Sequence, residues 1–275
     1  MILMGNLTII AVVCLDPHLC KPMYFFLINL SFLDISYTSV TLPKLLDIIL
    51  RSQNISVYGC FIQMYFFLSF ACVEYIILSV MAYDRYVAIC YPLRYIMIMN
   101  QRHCVLMAIM TWVFGFLEPV GYVVLISKFS FCASNEINHF FCDLSALLQL
   151  SCTSTSSIEA ITYIFSAFVG LPCFIATFAS YMCIISAILR IRTKEGRHKA
   201  FSTCSSHLIA IGLFYGTVLC LYVRPTSTQS VDQNKIFAVL YNVIIPLFNP
   251  IIYSLKNREV KRAVMRVLSR SGGKA

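Results

Sequence analysis

Apolar residues fill this chain in long blocks separated by short polar stretches, and each block is close to the length of a membrane-crossing helix. A hydrocarbon core of about 30 Å takes about twenty residues of α-helix. Marking blocks by hydropathy, and their limits by charge and turn residues, predicts spans over 1–15, 23–46, 58–90, 104–127, 159–189, 200–223 and 236–255. A β-barrel is the other way to satisfy backbone groups in lipid, but it needs apolar and polar residues alternating in segments of roughly ten. No such alternation is present. The predicted fold is an all-α membrane protein, a single seven-transmembrane helix bundle over 1–275 with its first helix shortened. Beyond the last span, Val260, Val264 and Val267/Leu268 recur at helical spacing among Lys and Arg residues. That pattern predicts a short amphipathic C-terminal helix over about 256–270, lying on the inner leaflet and in contact with membrane lipids.

Composition supports this picture. Of 275 residues, 59% are hydrophobic and only 12% charged, with a mean hydropathy of +0.80, far from the balance of a water-soluble domain. Sixteen of the twenty-one Lys and Arg residues fall on one side of the predicted bundle, among them Arg85, Arg94, the run from Arg190 to Lys199 and the segment from Lys256 onward. Cytoplasmic loops carry that excess, so the C-terminus is expected inside and the N-terminus outside. The net charge of +9 is then accounted for by topology and anionic inner-leaflet lipid, with no nucleic-acid partner needed. The basic loop and tail suit a protein partner or a solvated, lipid-facing surface equally well.

The thirteen cysteines divide by compartment. Most lie in or beside spans, where thiols behave as small apolar groups. Cys60, Cys132, Cys142 and Cys152 are expected outside, where disulfides persist, and the last three are ten residues apart. Those spacings lack the close ligand pairs of structural zinc. Two bridges are expected, but spacing alone leaves three connectivities open.

Ionisable groups in mid-span are functional candidates by default. Asp34 and Glu74 are two such acids, one in the second span and one in the third. Facing each other, they would bind a cation or share a proton, unless both are simply protonated partners that hold helices together. Pro250 removes a helical hydrogen bond from the last span, and Asn249 beside it is placed to satisfy the freed carbonyl or to reach another helix. Arg85, paired in sequence with Asp84, falls at the inner end of the third span, where Tyr181 and Tyr253 at the inner ends of the fifth and seventh would meet it. No nucleophile with a base and an orienting group can be assembled, so enzymatic activity has no support. Paired broken helices and inverted repeats, the marks of a transporter, are not seen either.

Five motifs occur in a fixed order: "PMYFFLINLSFLD" (Pro22 to Asp34), "MAYDRYVAIC" (Met81 to Cys90), "SY" (Ser180, Tyr181), "KAFSTCSSHL" (Lys199 to Leu208) and "PLFNPIIYSL" (Pro246 to Leu255). With the loop cysteines and "HFFCD" (His139 to Asp143), the chain closely resembles the vertebrate olfactory receptors, a branch of the rhodopsin-like G-protein-coupled receptors, from Gly5 onward. The resemblance implies a plasma-membrane receptor of olfactory neuron cilia. It implies a small volatile or apolar odorant as ligand and a heterotrimeric stimulatory olfactory-type G protein, which raises cyclic AMP, as partner. Arg85 would be the activation switch, with Asp84, Tyr86, Tyr181, Tyr215, Asn249, Pro250 and Tyr253 around it. The resemblance pairs Cys60 with Cys142 and Cys132 with Cys152. It makes Asp34 and Glu74 a site for sodium as an allosteric modulator, with no other cofactor.

A ligand pocket in this architecture opens between the outer halves of helices three, five, six and seven. Counting back from Arg85 in helical steps brings Phe67, Leu68, Ala71 and Cys72 to the inward face. The other candidates are Phe165, Ser166 and Val169, then Val218, Leu219 and Tyr222, and finally Asn242. Each could equally be ordinary helix packing. Phe67 stands where amine-binding relatives carry an aspartate, which disfavours a protonated amine at that position. His139 is a weak metal candidate beside a cysteine expected to be bridged, and His207 is expected to make a polar contact near the inner end of helix six.

The first span departs from the pattern. About fifteen residues, Met1 to Leu15, fall short of a full crossing, which reads either as a start lying further upstream or as a truncated, non-signalling remnant retained inside the cell. Cys20, Lys21 and Phe248 differ from the usual family residues. The sequon at Asn54 lies close to the membrane. Glu118, next to Pro119 in the fourth span, is an acid to which the sequence assigns no role, facing the pocket, another helix or a second receptor.

Overall fold

The computed structural model describes residues 1–51, 54–131, 137, 139–152, 156–222, 235–236 and 239–272. In chain order the helices are α1 (Ile2–Leu15), α2 (Pro22–Arg51), α3 (Val57–Cys90), α4 (Tyr95–Ile98), α5 (Gln101–Leu117), α6 (Val120–Ile126), α7 (Leu144–Gln149), α8 (Ser156–Arg190), α9 (Lys194–Tyr222), α10 (Ile245–Lys256) and α11 (Arg258–Gly272). A wider, π-type turn over Leu240–Ile244 leads into α10. It ends where Pro246, which has no N–H to donate, interrupts the regular ladder. Seven helical segments form the bundle among the described residues: α1, α2, α3, α5 with α6, α8, α9, and the π turn with α10.

Local chemistry sets where several helices begin. Ser56 Oγ accepts the Gly59 N–H at 3.1 Å to start α3, and Asn100 Oδ1 accepts the His103 N–H at 3.0 Å to start α5. Among the described residues, only Pro22–Ile48, Val57–Cys90 and Ala167–Arg190 are individually long and apolar enough to cross a bilayer, and α9 bends by 46° between Ser202 and Cys204. The fourth span, expected as one helix over 104–127, is instead two helices broken at Glu118 and Pro119. Pro119 cannot donate to the carbonyl four residues back, and the Phe116 carbonyl is taken by the Tyr65 hydroxyl of α3 at 2.9 Å. α4 and α7, in an inner and an outer connection, lie outside every predicted element.

α3 is the central column and touches α2, α5, α6, α8 and α9. Its buried face, with Val73, Ile77, Leu78 and Met81, joins Phe26, Leu30 and Leu33 of α2, Phe214 of α9 and Tyr253 of α10 in one core. Gly115 lets α5 approach closely, because a side chain there would run into Val73. The opposite pattern marks the lipid-facing side. On α8, Phe168, Leu171, Ile175, Phe178, Met182, Ile185 and Leu189 are all exposed at steps of three and four residues. This continuous apolar stripe, unfavourable in water, is the surface a hydrocarbon solvent selects.

Candidate functional site

Three layers of polar chemistry lie along α3. In the outermost, the Cys60–Cys142 disulfide ties the start of α3 to the outer loop with a Cα–Cα distance of 5.3 Å. Gln63, one turn further in, reinforces it: its Nε2 donates to the Val40 carbonyl at 3.1 Å and its Oε1 accepts the Cys142 N–H at 3.1 Å. No sequence signal singled out Gln63. Cys132 lies outside the described residues, and so does any geometry of its expected bridge, although Cys152 is disulfide-bonded.

Below the outer layer, a cavity of about 390 Å³ opens between α3, the α5–α6 break, α8 and α9. Its walls are Leu68, Ala71, Cys72 and Tyr75; Glu118; Ala167, Val169, Gly170, Leu171 and Phe174; and Tyr215, Val218 and Leu219. The volume falls within the range of small-molecule sites. Of the residues expected around a pocket, Leu68, Ala71, Cys72, Val169, Val218 and Leu219 line it. Phe67 does not; it turns toward α2 and the π turn, with ring centroids 5.5 Å from Tyr37 and 6.5 Å from Tyr241. Asn242 is also off the cavity, buried completely on the π turn. The side chains of Phe165, Ser166 and Tyr222 lie outside the described residues. Tyr215, expected on the switch, lines the cavity and packs edge-on to Phe174, with centroids 5.3 Å apart.

The middle layer holds the mid-span acids. Asn249 Nδ2 donates to both Asp34 oxygens at 3.2 and 3.1 Å, and the Tyr241 hydroxyl donates to Glu74 Oε2 at 3.0 Å. Both acids are therefore bound to the seventh span through separate donors. Glu74 Oε1 is buried without a hydrogen bond among the described residues. The carbonyl of Pro246, orphaned by Pro250, receives the Asn6 amide of α1 at 3.5 Å. Asn249 thus reaches another helix, and the freed carbonyl is served by Asn6. No cluster of three His, Cys, Asp or Glu side chains suited to a metal occurs among the described residues.

The innermost layer surrounds Arg85. Its Nη2 and Nε donate to Asp84 Oδ2 at 2.5 and 3.0 Å, and both side chains are buried. Asp84 Oδ1 also accepts the Tyr95 hydroxyl at 2.8 Å from α4. Burial, and then the Asp84 carboxylate, hold the Tyr95 hydroxyl well above its ordinary pKa, so it stays a donor. Tyr95 was missed because it belongs to an inner loop rather than to a span. Tyr181 does not bond to Arg85; its hydroxyl contacts His207 Nδ1 at 2.8 Å, joining α8 to α9. Tyr86 donates to Tyr91 at 3.4 Å, and the fully buried Tyr253 hydroxyl has no hydrogen bond among the described residues.

A helix bundle with a cavity between its helices, a buried polar layer and an Asp–Arg pair at the end of its central helix fits the G-protein-coupled class of seven-transmembrane receptors, which are receptors and not enzymes. The family model of olfactory receptors matches residues 1–271. The chain is 50% identical over 273 residues to olfactory receptor 226 of Rattus norvegicus, covering 98% of this chain and 84% of that one. It is 49% identical to olfactory receptor 6A2 of Homo sapiens over 269 residues (96% and 82%), and 46% identical to olfactory receptor 1G1 of Gorilla gorilla gorilla over 265 (96% and 85%). The chain belongs to the olfactory receptor family.

Proposed function

We propose that this receptor binds a small, largely apolar odorant in the α3–α8–α9 cavity and, once occupied, activates a stimulatory olfactory-type G protein to raise cyclic AMP. The carrying observation is that one helix, α3, bears both one wall of the cavity and the Asp84–Arg85 pair, to which Tyr95 of α4 is bonded. Ten helical residues separate Tyr75 from Arg85, about 15 Å at 1.5 Å per residue. A ligand that favours a different packing of α8 and α9 against α3 biases the lock, the two-state coupling that allostery requires. Released Arg85 would meet the G protein between the inner ends of α8 and α9. An orientation with the N-terminus outside and the C-terminus inside is supported by the Lys and Arg distribution, and placement in the plasma membrane of olfactory cilia by kinship.

We propose further that Asp34 and Glu74 hold a sodium ion in the resting receptor. What supports this reading is that Glu74 Oε1 is buried without a hydrogen bond among the described residues, an oxygen of the hard type such an ion selects. Its role would be to favour the inactive packing.

The test is surface labelling of the 275-residue chain, followed by cyclic AMP measured against an odorant panel, with Arg85→Ala as the control. A surface-labelled chain whose odorant response disappears in Arg85→Ala is expected. A chain held entirely inside the cell, or a response indifferent to Arg85, would overturn the proposal.

A further inference from the structure

Two ion pairs tie α11 to the connection between α1 and α2. In one, Lys21 with Glu259, both side chains are half exposed, and such pairs contribute little. In the other, Arg266 donates to Asp16 through Nη2 and Nε at 2.5 and 3.0 Å, and the Asp16 side chain is only 3% exposed. The second pair is therefore the stronger hold. Three residues beyond Arg266 stands Ser269, exposed, its hydroxyl donating to the Arg266 carbonyl at 2.9 Å. Side chains three apart on a helix are neighbours, about 5–6 Å between Cβ atoms, so a group added to Ser269 Oγ lies within reach of the guanidinium that holds Asp16. The surrounding sequence runs from Arg262 through Arg266 to Ser269 and Arg270, an acceptor hydroxyl with one arginine three residues before it and another directly after it. A kinase with an acidic substrate groove selects flanks of that charge. The last turn, Ser269 to Gly272, contains no apolar residue, and helix ends fray, so it can enter such a groove without exposing core.

We propose that Ser269 is a phosphorylation site and that its phosphate releases α11 by drawing Arg266 away from Asp16. Ser269 Oγ attacks the γ-phosphorus of a nucleoside triphosphate and its proton passes to a base of the kinase. The bond from that phosphorus to the bridging oxygen breaks, and nucleoside diphosphate leaves. The phosphate carries a charge of about −1.5 to −2 and three strong acceptor oxygens, more than the one carboxylate of Asp16 offers. It also shares a helix with Arg266, whereas Asp16 is in reach only while α11 is docked. A dianion in the last turn opposes the helix dipole as well. What then holds α11 is the apolar face of Val260 and Ala263 and the exposed Lys21–Glu259 pair. This inference goes beyond the receptor reading and takes from it only that the C-terminus is inside, where kinases and nucleoside triphosphate are.

The experiment incubates the purified full chain in detergent with ATP and the catalytic subunit of cyclic-AMP-dependent kinase, which reads arginine three residues before its acceptor. Mass spectrometry then maps the phosphate, and hydrogen exchange at pH 7, relative to the intrinsic rate, reads the protection of residues 258–272. Phosphate on Ser269 is expected, with protection lowered about ten- to hundredfold, the loss of a charge-assisted hydrogen bond. Ser269→Ala should keep its full protection after the same incubation. In Asp16→Asn, where the partner is already gone, phosphorylation should change protection by about twofold or less. The proposal is overturned by a chain that takes phosphate only on Ser271 or nowhere, by a phosphorylated Ser269 with protection unchanged or raised, or by an equal fall in Asp16→Asn. A tag at the C-terminus separates this from the orientation it assumes. Staining only after permeabilisation is expected, and staining of intact cells would overturn the orientation together with the proposal, whereas the other results overturn the proposal alone.

Discussion

Asn249 holds both oxygens of Asp34, so a single amide joins the seventh span to the second where each would otherwise bury a polar group in a low-dielectric interior. Interhelical hydrogen bonds in membranes contribute about 0.6–2 kcal/mol. Asn249→Ala is expected to destabilise the purified receptor by that order, read as a lower midpoint in thermal unfolding in detergent, and an unchanged midpoint would show that Asp34 finds another donor. The sequence named Asp34, Glu74, Asn249 and Pro250 because polar residues in apolar spans stand out by type. It did not name their pairings. Tyr241 as the donor to Glu74, and Asn6 as the group serving the Pro246 carbonyl, depend on which helix faces are opposed.

At the scale of elements, α11 is docked by charge as well as by its apolar face. Val260 and Ala263 are fully buried, while Arg266 donates to Asp16 at 2.5 and 3.0 Å and Lys21 donates to Glu259 at 2.6 Å. The Arg266 hydrogen bond, outweighing burial and helped by His18, lowers the Asp16 carboxyl to a pKa of about 2. Burial pushes Glu259 upward, but the hydrogen bonds from Lys21 and Tyr24 prevail and its pKa is lowered too. A carboxyl with a depressed folded pKa contributes stability that is present above the ordinary Asp value of about 3.9 and lost as pH falls toward 2. Protection of the 258–272 amides, measured as exchange relative to the intrinsic rate at the same pH, is therefore expected to be high at pH 7, to fall on acidification below about pH 4, and to be low already at pH 7 in Asp16→Asn. An Asp16→Asn receptor as protected as the wild type would show that the apolar face alone holds the helix. The amphipathic period was plain in the sequence. The contact with Asp16 was not, because the two residues are 250 apart and both read as ordinary surface charges.

At the scale of the molecule, Cys60–Cys142 closes a loop of 82 residues, for which chain entropy alone predicts about 4–5 kcal/mol. The bridge also fixes where the outer loop sits over α3, with Gln63 bonded to the same strand of chain. Cys142→Ser is expected to reduce surface labelling several-fold and to abolish odorant-evoked cyclic AMP. Normal surface levels and response in that variant would assign the loop's position to Gln63 and packing alone.

Hydrophobic blocks, charge asymmetry and residue type determined the helices, the membrane setting, the family and most polar residues worth attention, because lipid solvation acts on each segment independently of its neighbours. Only the tertiary structure decided which faces meet. It split the fourth span at Pro119, turned Phe67 and Asn242 away from the cavity and brought Glu118 onto its wall. It also gave Arg85's partner a second bond from Tyr95 and paired Tyr181 with His207. Helix rotation and tilt arise from packing against neighbours far away in the chain, and a periodic pattern names a face without naming what lies opposite it.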